Sequence, residues 1–101
     1  MRMWKVDPKK MCRKHLLGEH VEMHMFVGTI IKGKSISGYV KKNLVEVHNI
    51  KKRHIELSEE MVRRGFNHKS ELPKFKSFRS GQVFVVKSER ELKNRCKDCK
   101  F

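Results

Sequence analysis

The sequence predicts an all-α fold: a small single domain over residues 1–101, built on three main helices. Three observations carry that expectation. Apolar residues recur at helical spacing along two long stretches, Leu16–Ile31 and Ile50–Met61. Gly33 and Gly65 stand just past those stretches, where helices are commonly stopped. A chain of 101 residues with 38% apolar content has room for one domain and a modest core.

Residues 1–6 read as an extended arm. Asp7-Pro8 starts a turn of helix near 8–11, with a carboxylate cap followed by Pro at the first helical position. The long helix is expected from about 13 to 31, with Leu16, His20, Met23, Val27, Ile30 and Ile31 on its inner face. Residues 32–45 form a connector with a short helix over Tyr39–Leu44. The second helix is expected over His48–Arg64, with Ile50, His54, Leu57 and Met61 as its inner stripe. On that stripe His54 reads as a packed histidine rather than a ligand. Arg63 and Arg64 suit the dipole of the last turn. Residues 66–81 read as irregular, and Gln82–Val86 as a strand or a buried connector. Ser88 and Glu91 have the spacing of a capping box that opens a third helix ending near Cys96.

The charge balance points to the partner. Lys and Arg number 25 against 11 Asp and Glu, for a formal net charge of +14. A polyanion is implied, held through phosphate contacts that weaken as salt rises. The chain has no long apolar run and no signal-peptide core, so a membrane is not the expected partner and the protein is expected in the cytoplasm. Between Phe66 and Arg79, aromatic residues alternate with cations, as in grooves that bind nucleic acid. Candidate phosphate contacts are Arg13, Lys14, Arg63, Arg64, Lys69 and the cations of Lys74–Arg79.

Against this basic background, His15–Ile31 contains no Lys or Arg but holds Glu19 and Glu22. Glu22 lies off the apolar stripe. His15, seven residues earlier, falls within about 20° of it on the helix and roughly 10 Å away along the axis. A carboxylate held inside a cationic surface can stabilise or move charge in a way that a cation cannot. A second constellation is Cys12-x-x-His15 with Cys96-x-x-Cys99, three thiols and an imidazole suited to structural zinc. Three cysteines do not form a disulfide framework.

Two stretches carry a family resemblance. His15-Leu-Leu-Gly-Glu-His-Val-Glu22 resembles the start of the long helix in the phage pyrimidine-dimer DNA glycosylases, the ultraviolet-repair endonucleases. Lys52–Asn67, ending Arg-Gly-Phe-Asn, resembles the second helix of that family. The resemblance implies an N-terminal arm threaded between the first two helices. It implies a bifunctional enzyme, a glycosylase that is also a lyase at abasic sites in double-stranded DNA. It needs no cofactor and is expected to act as a monomer, in the host cytoplasm if phage-encoded. It also implies that the nucleophile is the α-amine of Met1 and that Glu22 is its catalytic partner. Glu19 is the weaker candidate. Arg2 and His15 match family positions beside the substrate. The family's arginines near the catalytic Glu are replaced here by Val21 and Met25, so DNA contacts must come from other residues.

The implied chemistry is physically sound. An α-amine, with an ordinary pKa of about 7.7–8.0, is partly neutral near pH 7 where a lysine is not. A neutral amine can attack an anomeric carbon and form an imine. The alternative is a basic nucleic-acid-binding protein without catalysis, and a third reading is an interaction module supported by zinc.

Overall fold

The computed structural model describes residues 1–68 and 70–101. Four helices follow in order: α1 (Arg13–Ile31), α2 (Ser37–Lys41), α3 (Ile50–Arg63) and α4 (Val85–Arg95), with 3-10 turns at Pro8–Lys10 and Val47–Asn49. No strand occurs among the described residues. Because α2 has only 5 residues, the fold is all-α with three main helices.

Local chemistry sets the boundaries. The Asp7 carboxylate accepts the Lys9 N–H at 3.0 Å, and Pro8 fills the first helical position. The Cys12 thiol caps α1 by accepting the His15 N–H. Gly33 ends α1 at φ +72° and Gly65 ends α3 at φ +85°, where a side chain would be strained. The core joins Leu16, Met23, Phe26 and Val27 of α1 to Ile50, Leu57 and Met61 of α3.

The arm lies between these two helices. Met3, Trp4 and Val6 are buried, and the Met3 N–H donates to the Leu44 carbonyl at 2.6 Å. Arg53, on α3, binds both oxygens of Glu19 on α1 and also donates to the Val6 carbonyl of the arm at 2.7 Å. One buried guanidinium therefore ties together three segments. The stretch before α4 is fixed differently. Ser80 accepts the Val47 N–H, and the Val83 N–H donates to the Glu46 carboxylate at 2.7 Å. Gly81 sits at φ +91°, and a Cβ there would lie 2.0 Å from the Val45 carbonyl oxygen, so only glycine allows this approach.

Four expectations need correction. Ile31 is exposed because it turns about 100° away from half-covered Ile30 at the end of α1. The buried face instead includes Phe26 and Glu19. The short helix is Ser37–Lys41 rather than Tyr39–Leu44, and its last turn closes where Asn43 adopts φ +59°. Gln82–Val86 is neither a strand nor a buried connector. Val83 alone of its residues is buried, and α4 has already begun at Val85. Ser88 consequently lies inside α4, buried, and does not cap it. Glu91 is turned away from the backbone by the Arg2 guanidinium, 2.6 Å from its carboxylate.

Candidate active site

The arm delivers the chain's first nitrogen to the flank of α1. The Met1 α-amine lies 3.8 Å from Oε1 of Glu22, and both side chains are largely covered. The Arg2 N–H also bonds the Glu22 carboxylate. Burial raises the pKa of that carboxyl, while the terminal amine and the Arg2 N–H act in the opposite direction. Around the pair the arm is held by side chains. The Arg2 guanidinium stacks over Trp4 at 3.7 Å, and Trp4 meets His15 edge-on at 6.0 Å. An amine beside a carboxylate, fixed on a braced arm, can attack an electrophilic carbon and pass on a proton.

Glu19 is not available for the same work. It is fully buried, and both oxygens are taken by Arg53, at 2.5 and 2.9 Å.

A family model for pyrimidine dimer DNA glycosylases matches residues 1–74. The chain belongs to that family. No curated protein and no solved structure matched it. DNA is therefore the substrate of this glycosylase, and base excision in DNA repair is its general activity. The matched region contains the arm, α1 and α3, and with them Met1, Glu22, Glu19 and Arg53.

The glycosylase brings its Cys and His candidates together at the N-terminal end of α1. Sγ of Cys12 lies 3.1 Å from Nδ1 of His15 and 3.7 Å from Sγ of Cys96, and Sγ of Cys99 lies 3.6 Å from Nδ1 of His15. A tetrahedral zinc shell with ordinary Zn–S and Zn–N bonds has edges of about 3.5–3.8 Å. Against burial, the Asp98 and Cys99 N–H groups that point at Cys96 lower its pKa toward thiolate, whereas burial pushes the Cys99 thiol up to about 12 although the Cys12 N–H points at its Sγ. His15 thus faces the thiols and Trp4 rather than the space beside Glu22.

The expected DNA-binding cations separate into two groups. Arg13 and Lys14 are exposed at the start of α1, with Arg13 over the Phe66 ring at 5.2 Å. Arg13 also borders a cleft of about 380 Å³ shared with Lys9, Lys10, Arg63, Arg64 and Lys100, a concentration of positive charge suited to phosphate. Arg64, however, is engaged in the fold, donating to Glu60 and to the Pro8 and Met11 carbonyls. Arg63 shares Glu60 but stays exposed; the two arginines hold the Glu60 carboxyl down at about 2, with Arg63 contributing most. Arg2 is likewise engaged, by Glu91 and Trp4. Lys69 lies outside the described residues. Lys74, Lys76 and Arg79 are exposed.

The sequence reading missed one cluster in this glycosylase. His20 and His24 of α1, His54 of α3 and His68 converge, with His20 Nε2 at 2.8 Å from His68 Nε2 and His24 Nε2 at 3.1 Å from His54 Nε2. His54 is packed, as expected, but among other imidazoles. The available signal was the i, i+4 spacing of His20 and His24, which puts both rings on one helix face.

Proposed function

We propose that this glycosylase is bifunctional, excising a damaged base and then cutting the strand at the resulting abasic site, with the Met1 α-amine as nucleophile. The observation that carries the reading is the 3.8 Å approach of that amine to Glu22. The neutral amine attacks C1′ of the damaged nucleotide. The C1′–N bond breaks, and its electron pair leaves with the base, which takes up a proton. Opening of the C1′–O4′ bond places the ring electrons on O4′, which is protonated, and the amine loses its proton to give an imine at C1′. Removal of a C2′ proton then sends electrons into a C2′–C3′ double bond and expels the 3′ phosphate with the C3′–O pair. Water hydrolyses the imine and frees the amine. Glu22 stabilises the cationic sugar and relays protons in these steps. At an existing abasic site the amine condenses directly with the C1′ aldehyde.

The exposed cations Arg13, Lys14 and Arg63 hold the phosphates of double-stranded DNA, and the protein acts as a monomer in the cytoplasm. Glu22→Gln, isosteric and off the core, is expected to slow abasic-site cleavage by about 10²–10⁴-fold. DNA affinity should be nearly unchanged. Cleavage at the wild-type rate would remove Glu22 from the mechanism.

Structural zinc in the Cys12, His15, Cys96 and Cys99 cluster completes the proposal. It fastens the end of α4 onto the start of α1, in a domain with a modest core. Cys96→Ser with Cys99→Ser should release that ion and lower the melting temperature. Purified protein whose three thiols all titrate freely and which has no zinc at this cluster would rule it out.

A further inference from the structure

We propose that His20, His54 and His68 form a separate metal site that takes a divalent ion of the zinc class through three imidazole nitrogens. One ligating nitrogen from each of the three lies within 4.8 Å of the others. In a tetrahedral shell with Zn–N bonds of about 2.0–2.1 Å, such nitrogens stand about 3.3 Å apart. The 2.8 Å separation of His20 and His68 Nε2 is close to that edge. The ligands come from α1, α3 and the segment after α3, so one ion would close three parts of the chain around itself.

The surroundings favour neutral imidazole, the form that binds a metal. His20 and His54 are buried, and among the described residues no carboxylate lies within ion-pair distance of any ring in the cluster. Burial, then the neighbouring imidazoles His54, His24 and His68, push His20 down to about 4. Burial also lowers His54 and His24, against the Ser70 carbonyl, which acts the other way on both, and the Glu71 carboxylate, which does so on His54. Four rings with centroids 4.7–5.3 Å apart along their closest contacts could not all carry charge. Nε2 of His20 nevertheless meets that of His68, and Nε2 of His54 meets that of His24; a shared cation takes up ring lone pairs in place of these hydrogen bonds and of the His54 bond to the Ser70 carbonyl.

His24 lies beside the three ligands, 3.1 Å from His54, and the Ser70 carbonyl is 3.2 Å from the same His54 nitrogen. His54 and His68 also border a cavity of about 570 Å³, with Ser58, Glu59 and Glu71 on its wall. The Ser58 hydroxyl is 3.1 Å from His68 Nε2. Three protein ligands with a fourth position facing a cavity make a site that can hold water or a small anionic ligand on the ion. The site is distinct from the amine pair, because Glu22 lies about 160° around α1 from both His20 and His24. It depends on neither the catalytic reading nor the thiol cluster.

The test uses untagged full-length protein incubated with zinc sulfate, desalted and analysed for metal. Wild type should hold about one zinc per chain more than His68→Gln and His20→Gln, one ion per closed site. In these variants the thiols should titrate as in wild type, and circular dichroism should confirm folding. His68 lies outside the helices, so that variant in particular should fold. Equal zinc in folded variants and wild type overturns the proposal. A second measurement needs no variant. Cobalt(II) chloride added to wild type should give paramagnetically shifted ring-proton resonances from three histidines besides His15. Their absence at saturating cobalt identifies the cluster as a metal-free hydrogen-bonded network and overturns the site.

Discussion

Acetylation of the Met1 α-amine, or a residue or two left ahead of it by a tag, is expected to abolish abasic-site cleavage and borohydride trapping while DNA binding persists. An amide nitrogen has its lone pair delocalised into the carbonyl and cannot form an imine. Each added residue moves the free amine by up to about 3.5 Å. Productive attack needs the reacting atoms within about 3–3.5 Å in a fixed orientation. The arm cannot slide to compensate, because Met3 donates to Leu44, Met3, Trp4 and Val6 are buried, and the Val6 carbonyl is held by Arg53. The exposed cations remain, so affinity for DNA should change little. A tag at the other end of the chain should leave both activities intact. Trapped adduct from the two tagged proteins, mapped by mass spectrometry, decides the matter. A full-strength adduct on Lys5 with the N-terminus blocked would replace this mechanism with a lysine-dependent lyase. Lys5 is a poor candidate, since its ammonium is 2.9 Å from the buried Glu46 carboxylate.

What the sequence disclosed follows from how local the signals are. α1 and α3 were legible because one apolar face repeats over several turns and a glycine ends each. The Asp7-Pro8 start was legible for the same reason, since cap and helical turn are neighbours in the chain. α4 was placed late because its start has no side-chain cap, and Ser88 and Glu91 imitate one. Glu22 stood out as a carboxylate in a basic chain, and its pairing with Met1 came from the family resemblance; the path of the arm that brings the two together, set by long-range contacts, was not legible in the residues. The engagement of Arg64 and Arg2 was not legible either. Charge in a sequence does not reveal whether a guanidinium meets solvent or a carbonyl on another segment. The imidazole cluster was hidden for the same reason, with His54 and His68 lying 34 and 48 residues beyond His20 in the chain.

Arg53 is where the fold and the active site depend on one side chain, and Arg53→Met should be the most damaging single change to stability. The substitution leaves Glu19 as a buried carboxylate with neither of its two charged hydrogen bonds, and leaves the Val6 carbonyl without its donor. Breaking a buried pair from one side costs about 3–5 kcal/mol. A domain of this size has a total stability of about 5–15 kcal/mol, so a large part of it would be lost. The loss should be visible in urea unfolding at fixed pH as a lower midpoint with the slope retained. Replacing both partners, Arg53→Met with Glu19→Met, removes the stranded charge and should recover much of the loss, because a well-packed apolar pair can match a buried ion pair. Cleavage should not recover with it. The double variant still lacks the donor to Val6, so the arm loses its tie to α3 and the Met1 amine its fixed approach to Glu22. If the single variant proves as stable as the double, Glu19 is not carrying charge in the core. If the double variant cuts abasic DNA at the wild-type rate, the arm is positioned by its buried side chains alone and the guanidinium serves only the fold.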